Sequence, residues 1–257
     1  MSTSEVLQAL QERNADELSR FSEVLLDATS EVQPVWFSKP YDDFFWHCAT
    51  TIPNWLPRVV AACATTEGSG AHALLKIWSG VDFHREAEDG ILRHAKDEAT
   101  HAQLFVQLAR LAFEQNFESD YLDTVQQSLC PITELDIVKS DRRVAEQMLI
   151  DYLIQLNIVE IRTRHHLRLL APMYYSLAPA CNKGRVERIL NGLARDETSH
   201  IGYTAKLIDD WANDCNMERL KSLYKCRLHD YNQHTLEHCD VAKHDYGQGR
   251  FAALFND

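Results

Sequence analysis

Two six-residue strings in this sequence, KDEATH at Lys96–His101 and RDETSH at Arg195–His200, share the pattern basic-Asp-Glu-x-x-His. On an α-helix, residues three apart lie on one face about a turn from each other. Glu98 with His101, and Glu197 with His200, can therefore each offer a carboxylate oxygen and an imidazole nitrogen to one metal ion. A single Glu-x-x-His is weak, because both residue types are common on solvated helix faces. Two copies, both preceded by Asp, on two helices of one chain are hard to dismiss.

A dinuclear carboxylate site of this kind needs one further Glu from each of two other helices. The stretch 53–79 contains one acid, Glu67, set among small and apolar residues (VVAACATTEGSGAHALL). A lone carboxylate there is costly to bury unless it is paired or metal-bound. The stretch 140–171 offers Glu146, Asp151 and Glu160. Two antiparallel helices bring residues to equal depth when the midpoint of their numbers falls in the connecting turn. The midpoint of Glu67 and Glu98 falls near residue 82, just past Ser79-Gly80. That of Glu160 and Glu197 falls near residue 178, inside the link 172–184. Glu146 and Asp151 give midpoints near 171 and at 174, which are less central. Glu160 is therefore preferred, among apolar Leu156, Ile158, Val159 and Ile161, with Arg162 or Arg164 as partners in the alternative of a plain buried ion pair. Four carboxylates and two imidazoles form an oxygen-rich donor set that suits iron or manganese. Four negative charges balance two divalent ions, so two metals are the natural load.

The elements that must position these residues are helical. Apolar residues recur at three- and four-residue spacing almost throughout, and no segment reads as a strand. The spacing predicts an amphipathic helix over 4–28, then an aromatic, proline-containing stretch over 30–54 with a short helix at 41–50. Four long helices follow at about 53–79, 84–115, 140–171 and 184–213. Ser140-Asp141 is a plausible cap for the third, and Pro172 a plausible end to it. A long connection at 116–139 with short helical pieces separates the second from the third, and a last helix at about 216–238 precedes a polar tail. Short first and last links with one long crossover define a four-helix bundle. The 257 residues, without a low-complexity linker, are expected to form a single domain with the metal-binding bundle at about 53–213.

Composition narrows the function. A net charge of −12 argues against a nucleic-acid surface, which needs clustered Lys and Arg. No apolar run is long enough for a bilayer and the N-terminus lacks a signal-peptide pattern, so no membrane partner and a cytoplasmic location are expected. The seven cysteines form no C-x-x-C pair, which argues against a zinc ribbon or disulfide framework and fits a reducing compartment.

With these residues placed, the sequence resembles the ferritin-like diiron-carboxylate superfamily. Its members include ferritins, ribonucleotide reductase small subunits, bacterial multicomponent monooxygenases, aldehyde-deformylating oxygenases and arylamine N-oxygenases. The pattern E…(D)E-x-x-H…E…(D)E-x-x-H matches at Glu67, Glu98, His101, Glu160, Glu197 and His200. The strings TTEGSGAHALL, LIQLNIVE and RDETSHIGY look most like the corresponding helices of aldehyde-deformylating oxygenases. The resemblance implies an all-α, ferritin-like four-helix bundle, here with additional N- and C-terminal helices. It also implies that Asp97 supports His200 and Asp196 supports His101 by hydrogen bonds that fix each ring's tautomer and orientation. Arylamine N-oxygenases carry an extra His one turn before the second motif's Glu. Leu193 stands there in this chain, and the equivalent position of the first motif is His94, either a further ligand or a supporting side chain.

The leading expectation is an oxygen-dependent oxidoreductase with two Fe ions, with Mn possible at one or both positions. It would use dioxygen to hydroxylate, N-oxygenate or cleave a C–C bond of a small organic molecule. No flavin or nicotinamide fingerprint is visible, so electrons would come from a donor protein or the substrate; a homodimer is compatible. The alternatives are a ferroxidase or iron-handling protein and a Mn catalase-like or Mn/Fe oxidase. The small residues Cys63, Ala64, Gly68, Gly70 and Ala71 suggest either a substrate cavity or close helix packing. The pair His165–His166 is expected as a surface or crossover contact, and Tyr203 as core, a site-lining side chain or a redox-active phenol.

Overall fold

A computed structural model describes residues 2–12, 18–129, 131–134 and 136–247. Among them are nine α-helices and no strand, so the chain is all-α. The helices are α1 (Thr3–Gln11), α2 (Ser19–Glu31), α3 (Lys39–Thr51), α4 (Trp55–Ser79), α5 (Arg85–Phe113), α6 (Tyr121–Ser128), α7 (Glu146–Leu177), α8 (Lys183–Trp211) and α9 (Met217–Gly247). Polar groups satisfy several of their ends. At α5, His84 Nδ1 accepts the Ala87 N–H at 3.2 Å, and Glu86 and Glu88 place negative charge in the first turn. The α2 start has no local side-chain cap; the Asp209 carboxylate of α8 accepts the Phe21 N–H at 2.8 Å instead.

The chain forms two compact units. One comprises Met1–Phe45, Ala145–Leu169 and Ala194–His244. Its core holds Phe21, Val24, Trp36, Leu153, Ile154, Ile158, Ile201 and Leu228. A polar clip ties α7, α8 and α9 inside this core. The Asn157 amide donates to Thr204 Oγ1 (2.8 Å) and the Ile201 carbonyl (3.2 Å), and its Oδ1 accepts the Tyr224 hydroxyl (2.8 Å). Nearer the surface, Arg227 grips Asp151 through two bonds of 2.6 and 2.7 Å. Such bidentate, charge-assisted geometry holds α9 at one register on α7.

The second unit comprises Trp46–Val144 and Leu170–Leu193, with a core of Leu74, Trp78, Ile91, Ala95, Phe105, Leu108, Phe113 and Tyr174. Here α4 and α5 form a hairpin whose tight turn is clamped by the return of the long connection. Lys139 Nζ donates to the Trp78 and Val81 carbonyls at 3.1 and 2.6 Å, and lies 4.0 Å over the Trp78 ring. The Val144 N–H reaches the Gly80 carbonyl at 2.8 Å. A Cβ at Gly80 would stand 2.8 Å from the Arg142 carbonyl oxygen, so the clamp closes only on glycine.

Several sequence expectations change. Residues 140–145 do not start the third long helix; Ser140 and Val144 bond instead to the carbonyls of Ser79 and Gly80, and α7 begins at Glu146. Pro172 does not end α7, which continues to Leu177. Proline removes one helical N–H, but the flanking Leu169, Leu170, Met173 and Tyr174 are buried, and that packing outweighs the missing bond. The helix expected over 4–28 appears as α1 and α2, and its middle, residues 13–17, lies outside the described residues. The last helix extends to Gly247 rather than 238. No helix among the described residues is long and apolar enough to cross a membrane.

Candidate metal centre

In the second unit, α5 presents His94, Glu98 and His101 at helical spacing along one face, exposed by only 1%, 6% and 1%. His101 Nδ1 lies 3.7 Å from Glu98 Oε1, and His94 Nε2 lies 3.2 Å from the same oxygen. Glu67, half-buried on α4, completes the set: ligand atoms of Glu67, Glu98 and His101 all lie within 4.8 Å of one another. Gly70, one turn along α4, would put a Cβ 3.6 Å from Glu98 Oε2, so its lack of a side chain leaves room beside this carboxylate.

The first unit holds the matching triad. His200 Nδ1 on α8 lies 3.6 Å from Glu197 Oε2 and 3.7 Å from Glu160 Oε2 of α7. All three residues are buried. Polar bonds on either side set the depth at which α7 meets α8. Asn157 binds Thr204, and Arg164 Nε donates to Thr198 Oγ1 at 2.9 Å, both in the antiparallel register that brings Glu160 to His200. The rival acids of α7 are engaged elsewhere. Glu146 accepts the Trp211 indole N–H at 2.8 Å, and Asp151 holds Arg227.

These distances fit a metal-ligand set. Nitrogen–oxygen separations of 3.6–3.7 Å exceed a good hydrogen bond. Two atoms each about 2.1 Å from one ion stand about 3.6 Å apart when they subtend about 120°. In both triads the imidazole presents Nδ1 to the carboxylates, so the two motifs repeat one local geometry. The buried His and Glu groups could hold a metal ion; the donor types do not identify which.

Asp97 and Asp196 are half-buried immediately before the two motif glutamates. Of the small residues on α4, Ala64 and Ala71 are buried, and a Cβ on Gly68 would lie 3.1 Å from Leu129 Cδ2. At Gly68, then, the small side chain serves close packing. A cleft of about 410 Å³ in the second unit is lined elsewhere, by Ile52, Asn54, Trp55, Phe113, Asn116 and Leu177 among others. Tyr203 is half-buried on α8. His165 is not a surface residue. It is fully buried and bonded to Asp42 at 2.9 Å, while His166 meets Tyr41. Sequence reasoning missed this cluster and the Asn157 clip, since both join residues far apart in the chain. The signals available were the adjacent histidines and the aromatic stretch with no assigned partner.

Comparison with known proteins finds no family model, no curated protein and no solved structure that matches this chain.

Proposed function

We propose that this protein is a non-haem diiron oxygenase or oxidase acting on a small organic substrate. In this reading α4, α5, α7 and α8 form a ferritin-like four-helix bundle, and the two triads share one dinuclear centre. The observation that carries it is the repeated geometry of the triads, each a Glu from one helix plus a buried Glu-x-x-His whose Nδ1 faces carboxylate oxygen at 3.6–3.7 Å. The carboxylates of the two triads would hold the ions and balance their charge. Glu160, Glu197 and His200 would serve one ion and Glu67, Glu98 and His101 the other. Asp97 and Asp196 would orient the two ligand imidazoles.

When bound, two ferrous ions would supply the electrons for reducing dioxygen and oxidising a nearby substrate. The chain's own part is ligation, placement and the exclusion of water. Ala95 and Ala102 flank the motif of α5, and Leu193 and Ile201 that of α8; all four are at most 1% exposed. Manganese in one or both positions fits the same donors.

The test is metal analysis followed by rapid mixing of the anaerobic ferrous protein with oxygen. About two irons per chain and a transient visible absorption are expected, with decay accelerated by one class of small molecule, which names the substrate. Zinc alone at full occupancy, with no iron-dependent oxygen uptake, would sink the reading. Oxygen uptake in strict proportion to added iron, with mineral forming, would favour iron handling instead.

A further inference from the structure

The first unit contains a second buried network of titratable side chains, between α3, α7 and α9. The Tyr41 hydroxyl lies 2.5 Å from His166 Nε2, and the two rings stack at 13° with centroids 5.7 Å apart. Arg162 is also hydrogen-bonded to the Tyr41 hydroxyl. A guanidinium can only donate, so the phenol oxygen accepts from Arg162 and its own hydrogen points to His166. The next residue on each helix repeats the link: His165 Nε2 meets Asp42 Oδ1 at 2.9 Å. Phe37 packs edge-on to His165, and Phe45 lies 5.0 Å from the His166 ring. These rings keep water from the network, and Tyr41 is 5% exposed. From α9, Cys239 acts electrostatically on Tyr41 and exposed His238 on His166, so the network reaches solvent there.

We propose that Tyr41 is a redox-active phenol that passes single electrons to the metal held by Glu160, Glu197 and His200, with His166 as its proton acceptor. This rests on the diiron reading above. Glu160 and His166 share α7, separated by about 9 Å of helix rise, a short path for an electron.

The step balances as follows. One electron leaves the phenol and reduces the oxidised metal centre by one equivalent. The phenolic proton moves to His166 Nε2. The products are a neutral phenoxyl on Tyr41 and an imidazolium on His166. A one-electron donor protein, docking where the network meets solvent, restores the phenol's electron, and His166 returns the proton. At rest the proton stays on oxygen, because burial pushes the phenol's pKa up and the imidazole's down. Removing an electron makes the phenol a far stronger acid, so proton and electron move together. A phenol needed only for packing would not require a base in line with its hydrogen.

The experiment uses the iron-loaded, reduced full chain, mixed with oxygen, frozen rapidly and examined by electron paramagnetic resonance. A tyrosyl signal that narrows on ring deuteration is expected. Tyr41→Phe, which keeps the ring, should reduce it at least tenfold with iron content unchanged. His166→Gln should abolish it or shorten its lifetime, while Tyr203→Phe and Tyr231→Phe retain it. A signal that persists in Tyr41→Phe overturns the proposal. So does its absence from wild type that binds two irons and consumes oxygen, an outcome that leaves the diiron reading standing. Failure of wild type to bind iron overturns both, and metal analysis distinguishes the two failures.

Discussion

Asn157 concentrates three hydrogen bonds in a side chain that is fully buried. Its amide is the right tool, because only Asn and Gln carry donors and an acceptor on one short planar group. Asn157→Ala would strand the Tyr224 hydroxyl, itself 0% exposed, in an apolar core. A loss of about 2–3 kcal/mol is expected, read as a lower urea midpoint. His165 makes a pH-dependent contribution. Burial, opposed by the Asp42 hydrogen bond, pulls it down to about 4 from 6.5. Between those values the unfolded chain binds the extra proton, so the contribution is complete above pH 6.5 and is lost as pH falls toward 4. Stability should drop by a few kcal/mol across that window, and urea titrations at pH 7 and 4.5 should show a shallower drop in His165→Gln.

At the scale of elements, the hairpin of α4 and α5 depends on a turn too crowded for any side chain. Gly80→Ala sets a methyl against the Arg142 carbonyl and Val144. It should cost about 1–3 kcal/mol, visible as a lower midpoint and faster amide exchange at Ser140 and Val144, whose N–H groups bond across the clamp. The long helices carrying the motifs were legible because their apolar faces repeat over many turns, and α5 and α8 end within two residues of expectation. The midpoint arithmetic that set Glu160 level with Glu197 agrees with the depth at which Glu160 Oε2 lies 3.7 Å from His200 Nδ1. The ends of α7 were not, since tertiary packing carries the helix through Pro172 and the Gly80 clamp diverts Ser140-Asp141. Nor was the cap on α2, which comes from Asp209, 188 residues away. Local sequence cannot announce a partner at that distance.

For the whole molecule, the question is whether the two triads act as one centre. Independent sites predict that Glu67→Ala and Glu160→Ala each lose one metal and keep the other. A shared dinuclear centre predicts coupled loss, with each variant falling well below one iron per chain while circular dichroism stays helical. Metal should also stabilise the fold. Ligand at a hundredfold excess over its dissociation constant adds about 2.7 kcal/mol, so removing iron should lower the melting temperature by several degrees. A chelated protein that melts where the loaded one does would mean the ions contribute nothing to folding.

The long connection between α6 and α7 carries one more consequence. Glu67, Glu98 and His101 all precede it, and Glu160, Glu197 and His200 all follow it. Opening the chain at exposed Glu134 or Asp136 therefore divides the six ligands three and three without separating any from its hairpin partner. Iron uptake by two such fragments, produced separately and mixed, would become a bimolecular reaction. Its half-time should shorten as fragment concentration rises, whereas that of the intact chain should not. The metal would then be reporting the meeting of two molecules that the backbone ordinarily makes one.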